Sequence, residues 1–462
     1  MADPAGSAVT GLLAALLAFA VFIPLVAALV TRPQRGILLL AALVPFDGLL
    51  LVLPHPALLD GWKEALVLLT LAASMLAPPV VRGLTGRRLP SWWLAAVGLL
   101  VAGLASAAVV GGVQAVQGVK IGFFYLLVAV VLWRCPFAAT DRDRLVSILM
   151  ATGVLTAAVG VWQQVIGPAG LSALGYEYNT AIRTTGGLLR SFSTFNQPFP
   201  FGLFVMLVIL VCVPVALADW RRTRNGWFLA ATPLLLAGLL SSTVRAALLG
   251  TAVGLAFLAV HRYRAIAHVA APLAIAALFV PAAAAAALLS SSSLGDRTSG
   301  WARVVDQVLA APLGLGIGTT GSAAEKAGEL GAPAPGRLAS PVDAGLSYQP
   351  DNYYVKTLLE LGPIGLWLLL MLLLTAFALA RRISLRSSGG DSPLAAGIAA
   401  SVLAAAAAST VATYFEIFPL DVYFWLLLGV LSSLPPGSSS THSPFAREAA
   451  ASRPTSVNSL TR

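Results

Sequence analysis

"SYQPDNYYVKTLLELGPIGLWLLL" (residues 347–370) runs from a polar, Pro-broken loop straight into an apolar helix. The apolar run continues to about residue 380, long enough to supply the roughly 20 residues that a bilayer core requires. Similar runs recur along the 462-residue chain, which is 58% hydrophobic and only 10% charged. A soluble protein carries about 25% charged residues, and the mean hydropathy here is +0.86. The chain therefore reads as an all-α polytopic membrane protein. A β-barrel would instead alternate apolar and polar residues over segments of about ten.

Apolar windows place thirteen spans, near 8–31, 36–53, 64–80, 91–110, 118–133, 146–166, 199–218, 227–241, 244–260, 267–289, 354–380, 395–413 and 418–434. The expectation is about 12–13 transmembrane helices. The N-terminus lacks the basic region and small-residue cleavage site of a signal peptide, so it reads as a retained first span. Cys135 and Cys212 cannot build a disulfide framework, and no Cys/His cluster has metal-ligand spacing. Poly-Ala runs such as "AAAAAALL" and "AAAAAS" suit close helix packing in lipid.

The net charge of +10 is mostly topological. Nineteen of the 29 lysines and arginines fall in alternate loops and the C-terminal tail. The positive-inside rule makes that set cytoplasmic, with the N-terminus outside and the C-terminus inside. Nucleic acid is not needed to explain the charge. Of the ten basic residues on the outer side, eight lie in 168–198, 241–245 and 290–356. The organisation that follows is N-terminal helices over 1–167 and a functional membrane region over 168–435. The region contains a long external loop, 290–352, of the kind that is functional or disordered. The tail, 436–462, reads as disordered on composition.

Within "RTTGGLLRSFSTFNQPFPFG" (183–202), Arg183 and Arg190 sit in an external segment that re-enters the membrane near Pro198. Ser191, Ser193, Thr194 and Asn196 are placed to satisfy backbone groups freed by Gly and Pro. Arg245, in "LLLAGLLSSTVRAALLG" (234–250), occupies a turn so tight that it dips toward the apolar layer. An arginine there needs an anion, a water cavity or a route to snorkel. A guanidinium matches phosphate oxygens with paired donors and stays charged when partly buried. Three arginines from separate helix ends can therefore cradle a diphosphate, the alternative being snorkelling at helix ends. Arg297 and Arg303 precede a short amphipathic segment with Trp301 as an interfacial anchor. "GIGTTG" (316–321) formally matches GxGxxG, but no βαβ unit surrounds it, so a dinucleotide site is rejected. It reads as a plain loop, or as a turn whose N–H groups approach substrate.

"RSFSTFNQPFPFG", "SSTVRAALLG", "PLGLGIGTT" and "DNYYVKTLLELGPIGLW" follow in that order, with the long loop between the second and fourth. Over roughly 180–435 this resembles the O-antigen ligase and Wzy-type O-antigen polymerase superfamily, which includes bacterial protein O-oligosaccharyltransferases. The resemblance implies a GT-C-like glycosyltransferase of about twelve spans, working at the outer face of the inner membrane. It implies a donor glycan on undecaprenyl diphosphate, an acceptor hydroxyl on glycan, lipid or protein, and neither metal nor cofactor. Arg190 matches the arginine before the family's G-T-F…P-N-like motif, although Ser193 and Asn196-Gln197-Pro198 stand here. Arg245 matches the arginine of the S-R-like turn. Asp351-Asn352 occupies the place of the ligases' His-Asn, whose histidine is taken as the base on the acceptor. None of His55, His261, His268 and His442 is near these motifs in sequence.

Asp351 can accept the hydroxyl proton or serve as a structural N-cap at the start of its helix; both readings stay open. Asn352, Lys356 and Glu360 recur at i, i+4 and i+8 on one helix face. Lys356 can pair with Glu360, reach a phosphate or snorkel. Arg190, Arg245 and Asp351 are thus the candidate catalytic residues; Arg183, Asn352, Lys356, Arg297 and Arg303 are candidates for substrate binding. The departure from His-Asn favours an exopolysaccharide or O-antigen polymerase over a ligase. A transporter of lipid-linked sugars is the main rival, although no internal repeat is found. A metal-dependent GT-C enzyme would want an acidic pair in an external loop, yet the only D-x-D, at 141–143, falls on the cytoplasmic side.

Overall fold

The computed structural model describes residues 24–77 except 25, 89–264 except 186, 266, 308–331 and 351–434. Arg297, Arg303, the predicted span 267–289, most of the first span and the tail 436–462 lie outside the described residues. The described residues are 77% helical. Among the described residues six helices are long and apolar enough to cross a membrane, or seven if a pair bent by 48° is one span.

In chain order, α1 (Gln34–Leu43) continues as 3-10 turns over Val44–Leu51 and is followed by α2 (Trp62–Leu76) and α3 (Trp92–Val110). The bent pair is α4 (Gly112–Phe123) and α5 (Leu126–Arg134). After α6 (Ala139–Ala173) comes a hairpin of β1 (Arg183–Thr185) and β2 (Leu188–Arg190). Then come α7 (Pro198–Ala218), α8 (Thr223–Ala230), α9 (Thr232–Ser241) and α10 (Arg245–His261). The remainder is α11 (Gly321–Glu329), α12 (Tyr353–Arg386), α13 (Asp391–Ala408) and α14 (Leu420–Ser433). The window 227–241 is thus two helices, α8 and α9.

The core follows from side-chain size. Helix α7 is apolar on every face, and almost all of it is buried, as an all-round hydrophobic helix must be. Helix α13 is rich in alanine and approaches closely enough that a Cβ on Gly397 would lie 2.7 Å from the Val211 carbonyl oxygen. Helix α10 meets α13 in the same way, Gly250 lying against the Ala404 backbone. Small residues thus replace side-chain interdigitation with backbone proximity.

Helix α12 is two helices joined at Gly362, which takes φ +67° before Pro363. Proline cannot donate the expected hydrogen bond and pushes the preceding residue out of the α region; glycine tolerates the positive φ. The predicted span 354–380 is therefore broken one-third of the way along.

Polar contacts separate two ends of the bundle. At one end Arg142 donates to both oxygens of Asp391 and to the Phe137 carbonyl, at 2.8–3.1 Å. Asp143 accepts from Arg222 and Arg224, and Arg262 meets Ser392. These arginines come from three loops that the charge tally placed on one side. At the other end lie the β-hairpin, the α9–α10 turn, the start of α12 and the chain between α13 and α14.

Candidate functional site

The hairpin is built on a small apolar cluster of Leu171, Tyr176, Ala181, Ile182, Leu189 and Phe192. After Arg190 the chain descends into the bundle without regular structure, and its backbone groups need partners there. Two adjacent glutamines of α6 provide several. Gln163 Oε1 accepts from the N–H groups of Phe192 (3.0 Å) and Ser193 (2.7 Å), and its Nε2 donates to the Ser193 carbonyl at 2.9 Å. Gln164 Nε2 donates to the Leu189 carbonyl at 2.9 Å and to Ser191 Oγ at 2.7 Å. The segment's hydroxyls complete the seam. Ser191 donates to Gly160 O, Ser193 to Thr156 O and Thr194 to Pro45 O, all at 2.6–2.7 Å. The expectation that the hydroxyl residues satisfy the segment's own freed backbone groups is corrected: Ser191, Ser193 and Thr194 bond outward to α6 and Pro45. The freed groups are met by the glutamines, which were missed. Their signal was a Gln pair inside an apolar window, "VWQQVI".

This seam brings arginines together. Arg183 stands opposite Arg190 across the hairpin. The Ser191 N–H donates to the Ser241 carbonyl at 3.0 Å, tying the hairpin to the turn from which Arg245 opens α10. Thr243 holds φ +52° in that turn. Arg190 is half-buried, with its guanidinium carbon 5.1 Å from the centre of the Phe199 ring. Its Nε is buried with no hydrogen-bond partner among the described residues. Burial, and then the positive charges of Arg183 and Arg245, hold Arg190 below the ordinary arginine range; a guanidinium nonetheless stays charged at neutral pH. Three cations thus stand within electrostatic reach of one another, one with an idle buried donor, and guanidinium groups carry the paired donors that suit an oxyanion.

The start of α12 stands at the same end. Asn352 Oδ1 accepts from the Tyr354 and Val355 N–H groups at 2.9 and 3.1 Å, and its Nδ2 donates to the Thr410 carbonyl. Asn352 is therefore the N-cap. The capping role considered for Asp351 is corrected: Asp351 precedes the cap and is exposed. Helices α10 and α13 run antiparallel, so Arg245 and Thr410 emerge on one side of the bundle.

Lys356 lies deeper and is 4% exposed. Its ammonium meets Glu360 Oε2 at 2.5 Å and Glu416 Oε1 at 3.0 Å. Of its expected roles, pairing with Glu360 is the one observed; snorkelling is not, because the side chain is enclosed. The other Glu360 oxygen accepts from the Thr320 N–H and hydroxyl, each at 3.0 Å. Lys356, Glu360 and Glu416 line a cavity of about 60 Å³ with Tyr353, Phe415 and Asp421. The Gly-rich loop 316–321 reaches the cavity through Ile317, and three of its N–H groups are engaged. Gly316 N–H donates to the Glu360 carbonyl at 3.0 Å and Ile317 N–H to Ser106 Oγ at 2.7 Å. The idea that this loop offers N–H groups to substrate is therefore corrected for Gly316, Ile317 and Thr320. Glu416 and Asp421 were missed, although Asp421 falls inside the predicted span 418–434, where an ionisable residue is itself a signal.

No protein-family model matches this chain, and no curated protein matches it. Its class is that of an α-helical, polytopic membrane protein.

Proposed function

We propose that the chain is a metal-independent membrane glycosyltransferase, GT-C-like and of about 12–13 spans. It uses an undecaprenyl-diphosphate-linked glycan and polymerises O-antigen or exopolysaccharide repeat units at the outer face of the plasma membrane. The observation that carries this reading is the convergence of Arg183, Arg190 and Arg245 at one end of the bundle. The ordered motifs shared with O-antigen ligases and polymerases support it. In the reaction, an acceptor hydroxyl oxygen bonds to C1 of the lipid-linked sugar while the C1–O bond to diphosphate breaks. The guanidinium groups bind the growing negative charge on the leaving diphosphate, a contact whose loss typically costs about 10²–10³ in rate. Asp351 takes the hydroxyl proton, a contribution of about 10²–10⁴. Arg297 and Arg303 are assigned to the same donor from their place in the long external loop alone.

The test is the lipid pool of cells carrying Arg190→Ala or Arg245→Ala. Undecaprenyl-linked repeat units should accumulate without polymer, and normal polymer from both variants overturns the assignment. O-antigen ligase or protein O-oligosaccharyltransferase activity shares this chemistry and differs in acceptor. A transporter of lipid-linked sugars is the second reading. The buried charges around Lys356, beside the break in α12, favour it, because such groups often mark translocation paths. Movement of a reconstituted lipid-linked oligosaccharide across vesicles, without glycosidic bond formation, would select it.

A further inference from the structure

The enclosed cluster around Lys356 carries more acid than base. Glu360, Glu416 and Asp421 line the cavity, and Lys356 is its one lining ammonium among the described residues. The neighbouring cations stand outside the cavity lining, although Lys63 and Lys326 act on Asp421 through space. Lys63 is held by Asp47 at 2.8 Å, and Lys120 by Glu64 at 2.8 Å. Lys326, on α11, is exposed on a helix that also carries Glu325 and Glu329. The tyrosines facing these carboxylates, Tyr125, Tyr353 and Tyr414, are neutral hydroxyl groups. Three carboxylates against one ammonium in the cavity lining leave two negative charges without an adjoining cation among the described residues. Isolated ionised carboxylates are not tolerated in a low-dielectric interior; they acquire a cation or a proton.

The oxygens identify which acids carry it. Both Glu360 oxygens are engaged, one by Lys356 and one by Thr320. The Glu416 side chain is 4% exposed, and its Oε1 takes Lys356. Its Oε2 is buried without a hydrogen-bond partner among the described residues; the Ser322 N–H faces Glu416 but makes no hydrogen bond of normal geometry. Asp421, 6% exposed, accepts from the Val422 N–H through Oδ1. No three His, Cys, Asp or Glu side chains converge closely enough to hold a metal ion among the described residues. A proton needs only one oxygen.

We infer that the cavity formed by α12, α14 and the chain between α13 and α14 is a proton-binding site. Glu416 and Asp421 each take one proton from water at the hairpin end of the bundle. Lys356, paired with Glu360 and Glu416, is the built-in cation that compensates one of the three carboxylates and holds the site at two protons. The inference does not rest on glycosyl transfer.

The test uses the full chain in lipid nanodiscs and two readouts unrelated to polymer synthesis. Infrared spectra at neutral pH should show a carboxylic-acid carbonyl band that shifts in D₂O. Glu416→Gln or Asp421→Asn, both close in shape to the native residue, should each remove about half of it, because each removes one of two protonated groups. Glu329→Gln, an exposed control, should leave it unchanged. Lys356→Gln removes the internal cation, and the band should grow by about half as Glu360 takes a third proton. Dicyclohexylcarbodiimide, which attacks protonated carboxyl groups in apolar sites, should label Glu416 or Asp421 in the unmodified protein, and less as pH rises. A neutral-pH spectrum without the band, or a band insensitive to both Glu416→Gln and Asp421→Asn, overturns the inference.

Discussion

Arg183 and Arg190 face one another directly across the β1–β2 hairpin. Opposed residues of an antiparallel pair project from the same face, and like charges so placed destabilise the pair. The chain keeps this repulsion and adds Arg245 nearby, while the Arg190 Nε has no hydrogen-bond partner among the described residues. The arrangement becomes favourable when an anion of two or more negative charges occupies it.

Inorganic pyrophosphate should therefore raise the unfolding temperature of the detergent-solubilised protein. At about 100 times its Kd, a ligand that binds only the folded state contributes about 2.7 kcal/mol. Arg190→Ala should abolish the shift, and Arg245→Ala should reduce it. Thermal unfolding with and without pyrophosphate, at matched ionic strength, reads the effect.

Gln163 should matter to the site without touching substrate. It makes three hydrogen bonds to the backbone at residues 192 and 193. Gln163→Leu leaves those groups buried and unpaired, at about 1–3 kcal/mol for each lost partner. We expect a lower unfolding temperature together with a lost pyrophosphate shift. Wild-type values for both would show that the seam does not position Arg190.

Asp351 and Asn352 should separate cleanly. Asn352→Ala removes the α12 cap and should cost about 0.5–2 kcal/mol of stability, whereas Asn352→Asp keeps the acceptor and should recover most of it. Asp351→Asn should leave stability nearly unchanged but lower transfer by about 10²-fold or more if Asp351 is the base. Thermal unfolding and in vitro transfer from a lipid-linked donor, run side by side, distinguish the two residues.

His55 stands on the loop after Leu53, with Nδ1 2.8 Å from the Leu53 carbonyl and Nε2 2.9 Å from Asp60. The Leu53 carbonyl first, and then Asp60, raise its pKa above the ordinary 6.5. With the folded value raised, its contribution to stability is fully present below the unfolded pKa and is lost as pH rises through the folded pKa. The imidazole resonances should titrate above the free-histidine value, and Asp60→Asn should move the midpoint down. A midpoint at or below 6.5 in the unmodified protein would contradict the observed pairing.

Much of the membrane architecture was legible in local sequence. In lipid each helix satisfies its own backbone, so a run of about 20 apolar residues identifies a span without knowledge of its neighbours. The charge tally singled out Arg190 and Arg245 because it needs only the order of spans and loops along the chain. The breaks were less legible: Gly362-Pro363 lies inside an unbroken apolar window, where hydropathy outweighs the turn signal.

Tertiary structure decided the partners that lie far apart in sequence. Whether Asp351 or Asn352 caps α12 depends on where Thr410 anchors the chain. Lys356 meets Glu416 through the packing of helices distant in sequence, and Gln163 finds its acceptors on a segment beyond the hairpin. Hydrophobic runs are properties of single segments, whereas a hydrogen bond or an ion pair is a property of two, and only the folded chain determines which two meet.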